Sequence, residues 1–161
     1  MERIHKIWEH PLYQEQFRLL QAAEADRRFC RHTLEHFLDV ARIAYIASLE
    51  SGAPLSREII YAAALLHDIG RYAQLSQGIP HEEAGADFAG KIMADCDFSR
   101  EEISQVQEAI RSHRGSRPGT AGTELAQYLY RADKQSRCCF ACPAAAECNW
   151  SPEKKNLRIL F

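Results

Sequence analysis

The feature that most restricts the fold is IIYAAALL, residues 59–66, a run that is apolar nearly all round a helix. Ser56 offers an N-cap before this helix, and Gly70 is a natural stop after it. A helix without a polar face belongs at the centre of a bundle, where neighbouring helices cover every side. The run therefore predicts a core helix packed inside other helices.

The rest of the chain also shows helical periodicity. Further helices are predicted over residues 11–25, 33–50, 81 to about 96, 99–115 and 123–137. Almost nothing alternates with period two, and residues 114–122 form the one clear loop. The sequence thus predicts an all-α helical bundle over residues 1–137. A cysteine-rich tail, residues 138–161, is expected to pack on the same domain.

Composition and charge exclude several classes of function. The formal net charge of -2 and the pI near 6.4 offer no broad basic face for nucleic acid. The N-terminus has no apolar core of signal-peptide length, and no window approaches the roughly 20 apolar residues that span a membrane. We therefore expect a cytoplasmic protein without a membrane partner, whose six cysteines stay reduced. The sequence is also compatible with a homodimer.

Polar side chains end the core helix and the helices that follow it. His67 and Asp68 come directly after Leu66, although an imidazole and a carboxylate are costly to bury without partners. His81 begins a predicted helix, and His113 ends the next one. Each histidine could instead be an ordinary residue of a core or a helix start.

Two further polar residues face inward by their spacing. His36 precedes Val40 and Ala44 at offsets of 4 and 8, which places it on the buried stripe of its helix. Asp133 follows Leu129 at an offset of 4 and faces inward in the same way. Asp133 could instead form a solvated pair with Arg137, one turn further along the helix.

Taken together, these groups point to a metal centre, because a shared cation satisfies all of them at once. The candidate metal ligands are His36, His67, Asp68, His81, His113 and Asp133. Separate buried partners for each of them would be a less economical arrangement.

The pattern resembles the HD-domain phosphohydrolase superfamily over about residues 25–137. That family has a histidine on an early helix, an adjacent His-Asp pair and a distant aspartate; here these are His36 in EHFLDVARIA, His67–Asp68 in LLHDIG and Asp133 in YRADK. His32 is a rival for His36, placed one turn earlier on the same helix face. His36 is preferred because Val40 and the next residue, alanine, follow it as in the family.

The resemblance implies one metal held by His36, His67, Asp68 and Asp133. His81 and His113 are similar to the two extra histidines of binuclear branches, in which the aspartate of the His-Asp pair would bridge to a second metal. One such branch hydrolyses diadenosine tetraphosphate, and others are HD-GYP phosphodiesterases and mixed-valent di-iron oxygenases. The GYP signature is absent here, which argues against cyclic di-GMP as the substrate.

Ligand type and charge predict the chemistry. Imidazole with carboxylate suits iron or manganese, with zinc as a further option. Two divalent ions carry more positive charge than two aspartates cancel, which favours a phosphate and a metal-bridged hydroxide as the nucleophile that attacks phosphorus. We therefore expect a metal-dependent phosphohydrolase acting on a small phosphorylated metabolite of the nucleotide class. Asp68 would be catalytic, and Arg71, Arg114 and Lys134 would bind phosphate, unless they are solvent-facing residues at helix ends.

Two other functions use the same residues. A di-iron oxygenase would bind dioxygen and a substrate oxygen at the same six ligands. A non-catalytic module would bind a nucleotide or a partner for signalling. The first would depend on iron and consume oxygen, and the second would bind nucleotides without turning them over.

The tail carries a second candidate metal site in CCFACPAAAECNW. Cys139 and Cys142 have the two-residue gap that lets two thiolates share a tetrahedral metal, and Cys148 follows. The fourth ligand could be Cys30 or Cys138. Zinc is the expected metal because the spacing is not that of a standard iron–sulfur cluster. The alternative is that these cysteines are small buried hydrophobic residues.

Overall fold

The chain is all-α, as predicted. The computed structural model describes residues 1–52, 55–113 and 122–160, and within these ranges it contains helices and no β-strand. The α-helices are α1 Glu2–Glu9, α2 Pro11–Ala23, α3 Leu34–Glu50, α4 Arg57–Leu66, α5 Arg71–Gln77, α6 His81–Asp95, α7 Arg100–Ser112 and α8 Glu124–Gln135. Short 3-10 helices span Cys139–Ala141 and Pro152–Lys154.

Helix α4 is the core helix that the apolar run predicts. It packs against α1, α3, α6, α7 and α8. Ile59, Ile60 and residues 62–66 are buried, and only Tyr61 within the run is half-buried. The helix therefore ends inside the bundle, and the polar residues that follow it are buried as well.

The signals for helix starts are confirmed in part. The hydroxyl of Ser99 accepts a hydrogen bond from the main-chain N–H of Glu102, and the carboxylate of Glu102 accepts one from the main-chain N–H of Ser99, so that α7 begins with a capping box. Ser56 stands at the N-cap of α4, but its side chain makes no capping hydrogen bond. The predicted helix end at Gly115 lies outside the described residues.

Two helices were not predicted from the sequence. α1 is rich in charged residues and buries Ile4 and Ile7. Its Arg3 donates hydrogen bonds to Glu58 of α4 and to Glu102 of α7. α5 has only seven residues and its pattern is too short to predict. Both helices depend on contacts with distant parts of the chain.

The prediction that Gly70 stops the core helix was wrong. α4 ends at Leu66, and Gly70 is the N-cap of α5 with an ordinary right-handed backbone, φ -78°. A Cβ at residue 70 would collide with the main-chain oxygen of His81 and would lie 2.5 Å from the main-chain nitrogen of Gly85. Glycine is required because the start of α6 packs against this backbone.

The described helices include none with the length and hydropathy that crossing a bilayer requires.

Candidate metal centre

His67 and Asp68 lie in the turn directly after α4, and both side chains are buried. The Nδ1 atom of His67 lies 2.7 Å from the main-chain oxygen of Ala64. A carbonyl oxygen only accepts hydrogen bonds, so Nδ1 carries the proton and Nε2 keeps its lone pair. That Nε2 lies 3.1 Å from Oδ2 of Asp68, which brings two electron-pair donors side by side.

His81 and His113 approach the same carboxylate from the other side. The Nδ1 atom of His81 lies 2.7 Å from Oε1 of Gln74, and Nδ1 of His113 lies 2.5 Å from the main-chain oxygen of Ile110. These oxygen partners again leave the lone pairs on Nε2. The two Nε2 atoms lie 3.2 and 3.8 Å from Oδ1 of Asp68.

His36 and Asp133 meet where α3 packs against α8. The hydroxyl of Ser136 donates to the main-chain oxygen of Asp133, so it accepts from Nδ1 of His36 at 3.0 Å. Nε2 of His36 then lies 3.4 Å from Oδ1 of Asp133. Arg137 is also buried here; its Nη2 lies 2.8 Å from Nε2 of His36 and 4.0 Å from Oδ1 of Asp133.

The six predicted ligands therefore fall into two overlapping groups. In each group one nitrogen or oxygen atom per residue lies within 4.8 Å of those of all the other members. The first group is His36, His67, Asp68 and Asp133, and the second is Asp68, His81 and His113. Asp68 belongs to both, with one oxygen near His67 and the other near His81 and His113.

His32 was placed wrongly by the sequence analysis. It lies before α3, whose N-cap is Thr33, and not one turn earlier on the same helix face as His36. Its Nδ1 donates to the buried carboxylate of Glu24 at 2.7 Å, and its Nε2 lies 3.3 Å from Oδ2 of Asp68. His32 and His36 thus both reach the centre. The contact between Glu24 and His32 could not be predicted, because no spacing rule links these two residues in the sequence.

Burial and charge set the protonation states that favour a cation. Burial opposes ionisation of Asp68, but the adjacent imidazole of His67, when it is protonated, and the guanidinium of Arg71 hold the pKa of its carboxyl well below the ordinary value. Burial lowers the pKa of His36 and of His113 to about 4. Carboxylates that stay ionised and imidazoles that stay neutral are the forms that bind a metal.

His67 has the opposite tendency. Burial alone would lower its pKa, but the adjacent carboxylate of Asp68 raises it overall. A proton between the Nε2 of His67 and Asp68 would relieve the repulsion of their lone pairs, and a metal ion would do the same with more charge.

The donor set fits a metal. Among the described residues, the Nε2 atoms of His67 and His81 are buried without a hydrogen-bond partner. Buried polar atoms are rarely left unpaired, and both of these point toward Asp68. Neutral imidazoles oriented by carbonyl or amide oxygens are the usual form of metal-binding histidines.

A cavity of about 470 Å³ opens beside this centre. His32, His113 and Asp133 line it, as do two of the residues predicted to bind phosphate, Arg71 and Lys134. Arg71 donates from Nε to Oδ1 of Asp68 at 2.9 Å, and Lys134 pairs with Asp133. The third, Arg114, lies outside the described residues.

Sequence reasoning missed most of the cavity wall. The ammonium of Lys134 lies 5.1 Å from the ring centre of Tyr130 and 5.3 Å from that of Trp150. Trp150 comes from the tail and is near α8 only in the folded chain. The remaining lining residues are Arg27, Phe29, Cys30, Arg137, Glu147, Cys148, Asn149 and Lys154.

The cysteines of the second candidate metal site have different surroundings. Cys30 and Cys148 line the cavity, Cys139 and Cys142 are half-buried, and Cys138 is exposed. The two candidates for the fourth ligand therefore differ, because Cys30 lines the cavity whereas Cys138 is exposed.

Comparison with known proteins finds similarity over most of the chain. The family model described as HD domain matches residues 33–138. An uncharacterized protein of Clostridium beijerinckii is 44% identical over 138 residues, which cover 86% of this chain and 85% of that protein.

More distant similarity extends to ribonuclease Y and to a solved structure. Ribonuclease Y of Acetivibrio thermocellus is 26% identical over 171 residues, which cover 94% of this chain but 31% of that enzyme. This chain thus spans less than a third of it. A predicted HD superfamily hydrolase from an uncultured Thermotogales bacterium shares the fold, with a TM-score of 0.63 and 24% identity, over 89% of this chain and 81% of that one.

Proposed function

This chain belongs to the HD domain family, and we propose that it is a metal-dependent phosphohydrolase with a binuclear centre. The observation that carries the proposal is the position of Asp68, whose carboxylate is shared by both ligand groups. A carboxylate with two oxygens directed to two sets of imidazoles is suited to bridge two cations. The substrate class proposed is a small phosphorylated metabolite, most specifically a nucleotide.

The ligand assignment follows the two groups. His36, His67, Asp68 and Asp133 would hold one divalent ion, and Asp68, His81 and His113 would hold the other. Iron or manganese suits these nitrogen and oxygen donors best. Bound there, such ions supply Lewis-acid activation of water and of the phosphoryl group.

The chain's own residues would bind the anion. The Nε of Arg71 is engaged by Asp68, so its terminal guanidinium nitrogens are left to bind phosphoryl oxygens. Lys134 and Arg137 also line the cavity and add positive charge. Within the described lining, cationic side chains outnumber the two carboxylates, Asp133 and Glu147, which favours an anionic substrate.

The aromatic wall supports a nucleotide over a simpler phosphate ester. Tyr130 and Trp150 flank the ammonium of Lys134, so an aromatic base could stack near a phosphate-binding cation. A cavity of about 470 Å³ is in the range of small-molecule sites. The ribonuclease Y relatives are named for cleavage of a nucleotide polymer, so phosphodiesters belong among the substrates to be tested.

The first test is the metal content of the full chain, purified under low oxygen without added metal or chelator. About two equivalents of iron or manganese per chain, beyond any zinc, would support the proposal. If no iron or manganese is retained and added metal restores no hydrolysis, the proposal fails.

The second test is turnover of nucleotides, a dinucleoside polyphosphate, a short RNA and a sugar phosphate with manganese and without oxygen. Hydrolysis of a nucleotide supports the proposal. In a parallel assay with iron in air, oxygen consumption that requires iron would instead establish an oxygenase. Nucleotide binding without turnover would establish a binding module.

The nucleotide itself is tested with Trp150→Ala. Stacking of a base contributes about 1–3 kcal/mol, so KM for a nucleotide should rise by roughly tenfold while that for a sugar phosphate stays unchanged. Phe140→Ala, which removes an exposed aromatic outside this cavity, is the matched control. Equal effects on both substrates would show that Trp150 does not contact a base.

A further inference from the structure

We propose that Cys30, Cys139, Cys142 and Cys148 form a second, structural metal site that binds Zn²⁺. This site is separate from the His/Asp centre and does not depend on it. It would fix the tail that carries Trp150 to the helical bundle.

The need for such a site lies in the packing of the tail. Across residues 138–160, Ala144 is the one buried residue, and regular structure is limited to the two 3-10 helices. So little buried apolar surface contributes little stability, and short segments of this kind are commonly held by a metal or a disulfide. Nevertheless, Cys148 and Trp150 line the cavity and need a defined position.

The local backbone places two of the thiols on one turn. Cys139 begins a 3-10 helix, and the main-chain N–H of Cys142 donates to the main-chain oxygen of Cys139 at 3.4 Å. A two-residue gap on such a turn is the arrangement in which two cysteines share one zinc ion.

Distant contacts bring Cys30 to the tail. On one side of it, Arg28 donates to Glu147 at 2.6 Å; on the other, Arg137 donates to the main-chain oxygen of Arg31 at 2.7 Å. Cys30 and Cys148 line the same cavity. The fold therefore brings the segment before α3 to the loop that contains Cys148.

Electrostatics identify the same four residues. Burial raises the pKa of the Cys30 thiol, and Cys139, Cys142 and Cys148 are near enough to raise it further. Neither of the remaining cysteines has this role: Cys138 is exposed, and Cys96 is buried beside Lys6, Asp95 and Asp97. The structure therefore favours Cys30 over Cys138 as the fourth ligand.

Zinc is the metal that four thiolates favour, and it neutralises part of the charge that would otherwise keep them apart. Among the described residues, only the two His/Asp groups have all their ligand atoms within 4.8 Å of one another, so the four thiols are more widely spaced than this. Coordination would therefore draw the four thiols closer together, which is expected where a metal organises a segment with little core of its own.

The experiment measures zinc in the full chain and in single variants. About one zinc per chain should be retained in Asp68→Ala, which disrupts the His/Asp centre, and lost in Cys142→Ser and Cys148→Ser. Cys138→Ser is the matched control and should keep its zinc. Zinc retained in Cys142→Ser, or lost equally from Cys138→Ser, would overturn the assignment.

A second measurement does not depend on whether the variants fold. X-ray absorption at the zinc edge of the wild-type chain should show a sulfur shell at about 2.3 Å. Replacement of zinc by Co²⁺ should add a sulfur-to-metal charge-transfer band. A nitrogen and oxygen shell alone, or iron with acid-labile sulfide, would refute the zinc site while leaving the His/Asp centre untouched.

Discussion

The main-chain oxygen of His81 occupies the space that a side chain on Gly70 would need. This close approach brings the first residue of α6 to the turn that carries Asp68, so that Nε2 of His81 lies 3.2 Å from Oδ1. The position of His81 beside Asp68 therefore depends on the absence of a side chain at residue 70.

Gly70→Ala should therefore destabilise the chain and weaken the second metal group. Overpacking of a backbone contact costs about 1–3 kcal/mol, because α6 must move away from the turn. Chemical denaturation measures the free energy of unfolding. Gly90→Ala is the matched control in α6, where a Cβ meets only the amide of Gln107, which can move. Equal stability of Gly70→Ala and wild type would refute this account.

Asp68→Ala should abolish hydrolysis and lower the content of both metals, because its carboxylate belongs to both groups. Asp39→Ala, which removes a half-buried aspartate of α3 paired with Arg42, should change neither property. Metal analysis and a turnover assay check this. Retained turnover in Asp68→Ala would rule out the binuclear centre.

His113→Ala should lose one metal and keep the other, because His113 belongs only to the second group. Metal content per chain is the readout, with circular dichroism to confirm the helical fold. Unchanged metal content and rate would show that His113 is a core residue alone.

His36→Ala and His32→Ala should differ in the metal content that the chain retains. His36 belongs to the first ligand group, whereas His32 is held by Glu24 and approaches only one oxygen of Asp68. We expect His36→Ala to lose metal and His32→Ala to retain it. The reverse result would make His32 the early ligand of the centre.

The stability contributed by Arg3 should depend on pH. Arg3 forms hydrogen bonds with Glu58 and Glu102. The N-terminal ammonium of Met1 and then Arg3 hold the pKa of the Glu58 carboxyl below the ordinary value of 4.5, and Arg3 does the same for Glu102. A lowered pKa in the folded state contributes stability that is complete above the unfolded pKa and is lost as the pH falls through the folded one.

Arg3→Ala should thus reduce stability at pH 7 by about 1 kcal/mol, given the partial exposure of the pairs, and the difference should shrink below about pH 4. Thermal unfolding across this range measures the effect. Arg18→Ala, an exposed substitution on α2, is the control. A difference that is independent of pH would indicate lost packing of the arginine side chain against Phe98.

Local patterns predicted much of this protein. The all-apolar run, the helix start at residue 99 and the inward spacing of His36 and Asp133 depend on residues within one or two turns of each other, and such signals survive in a single sequence. The His67–Asp68 pair after the core helix indicated a metal centre, and the fold brings the six predicted ligands together.

The sequence by itself determined the helical class, the central helix and the identity of the six groups, because periodicity and side-chain chemistry are local properties. Only the tertiary structure decided that Glu24 holds His32, that Gly70 admits α6, that Arg3 docks α1 and that Cys30 approaches the tail. Each of these contacts joins elements whose side-chain types have many alternative partners. The choice among those partners is made by close packing of the whole bundle, which no local pattern encodes.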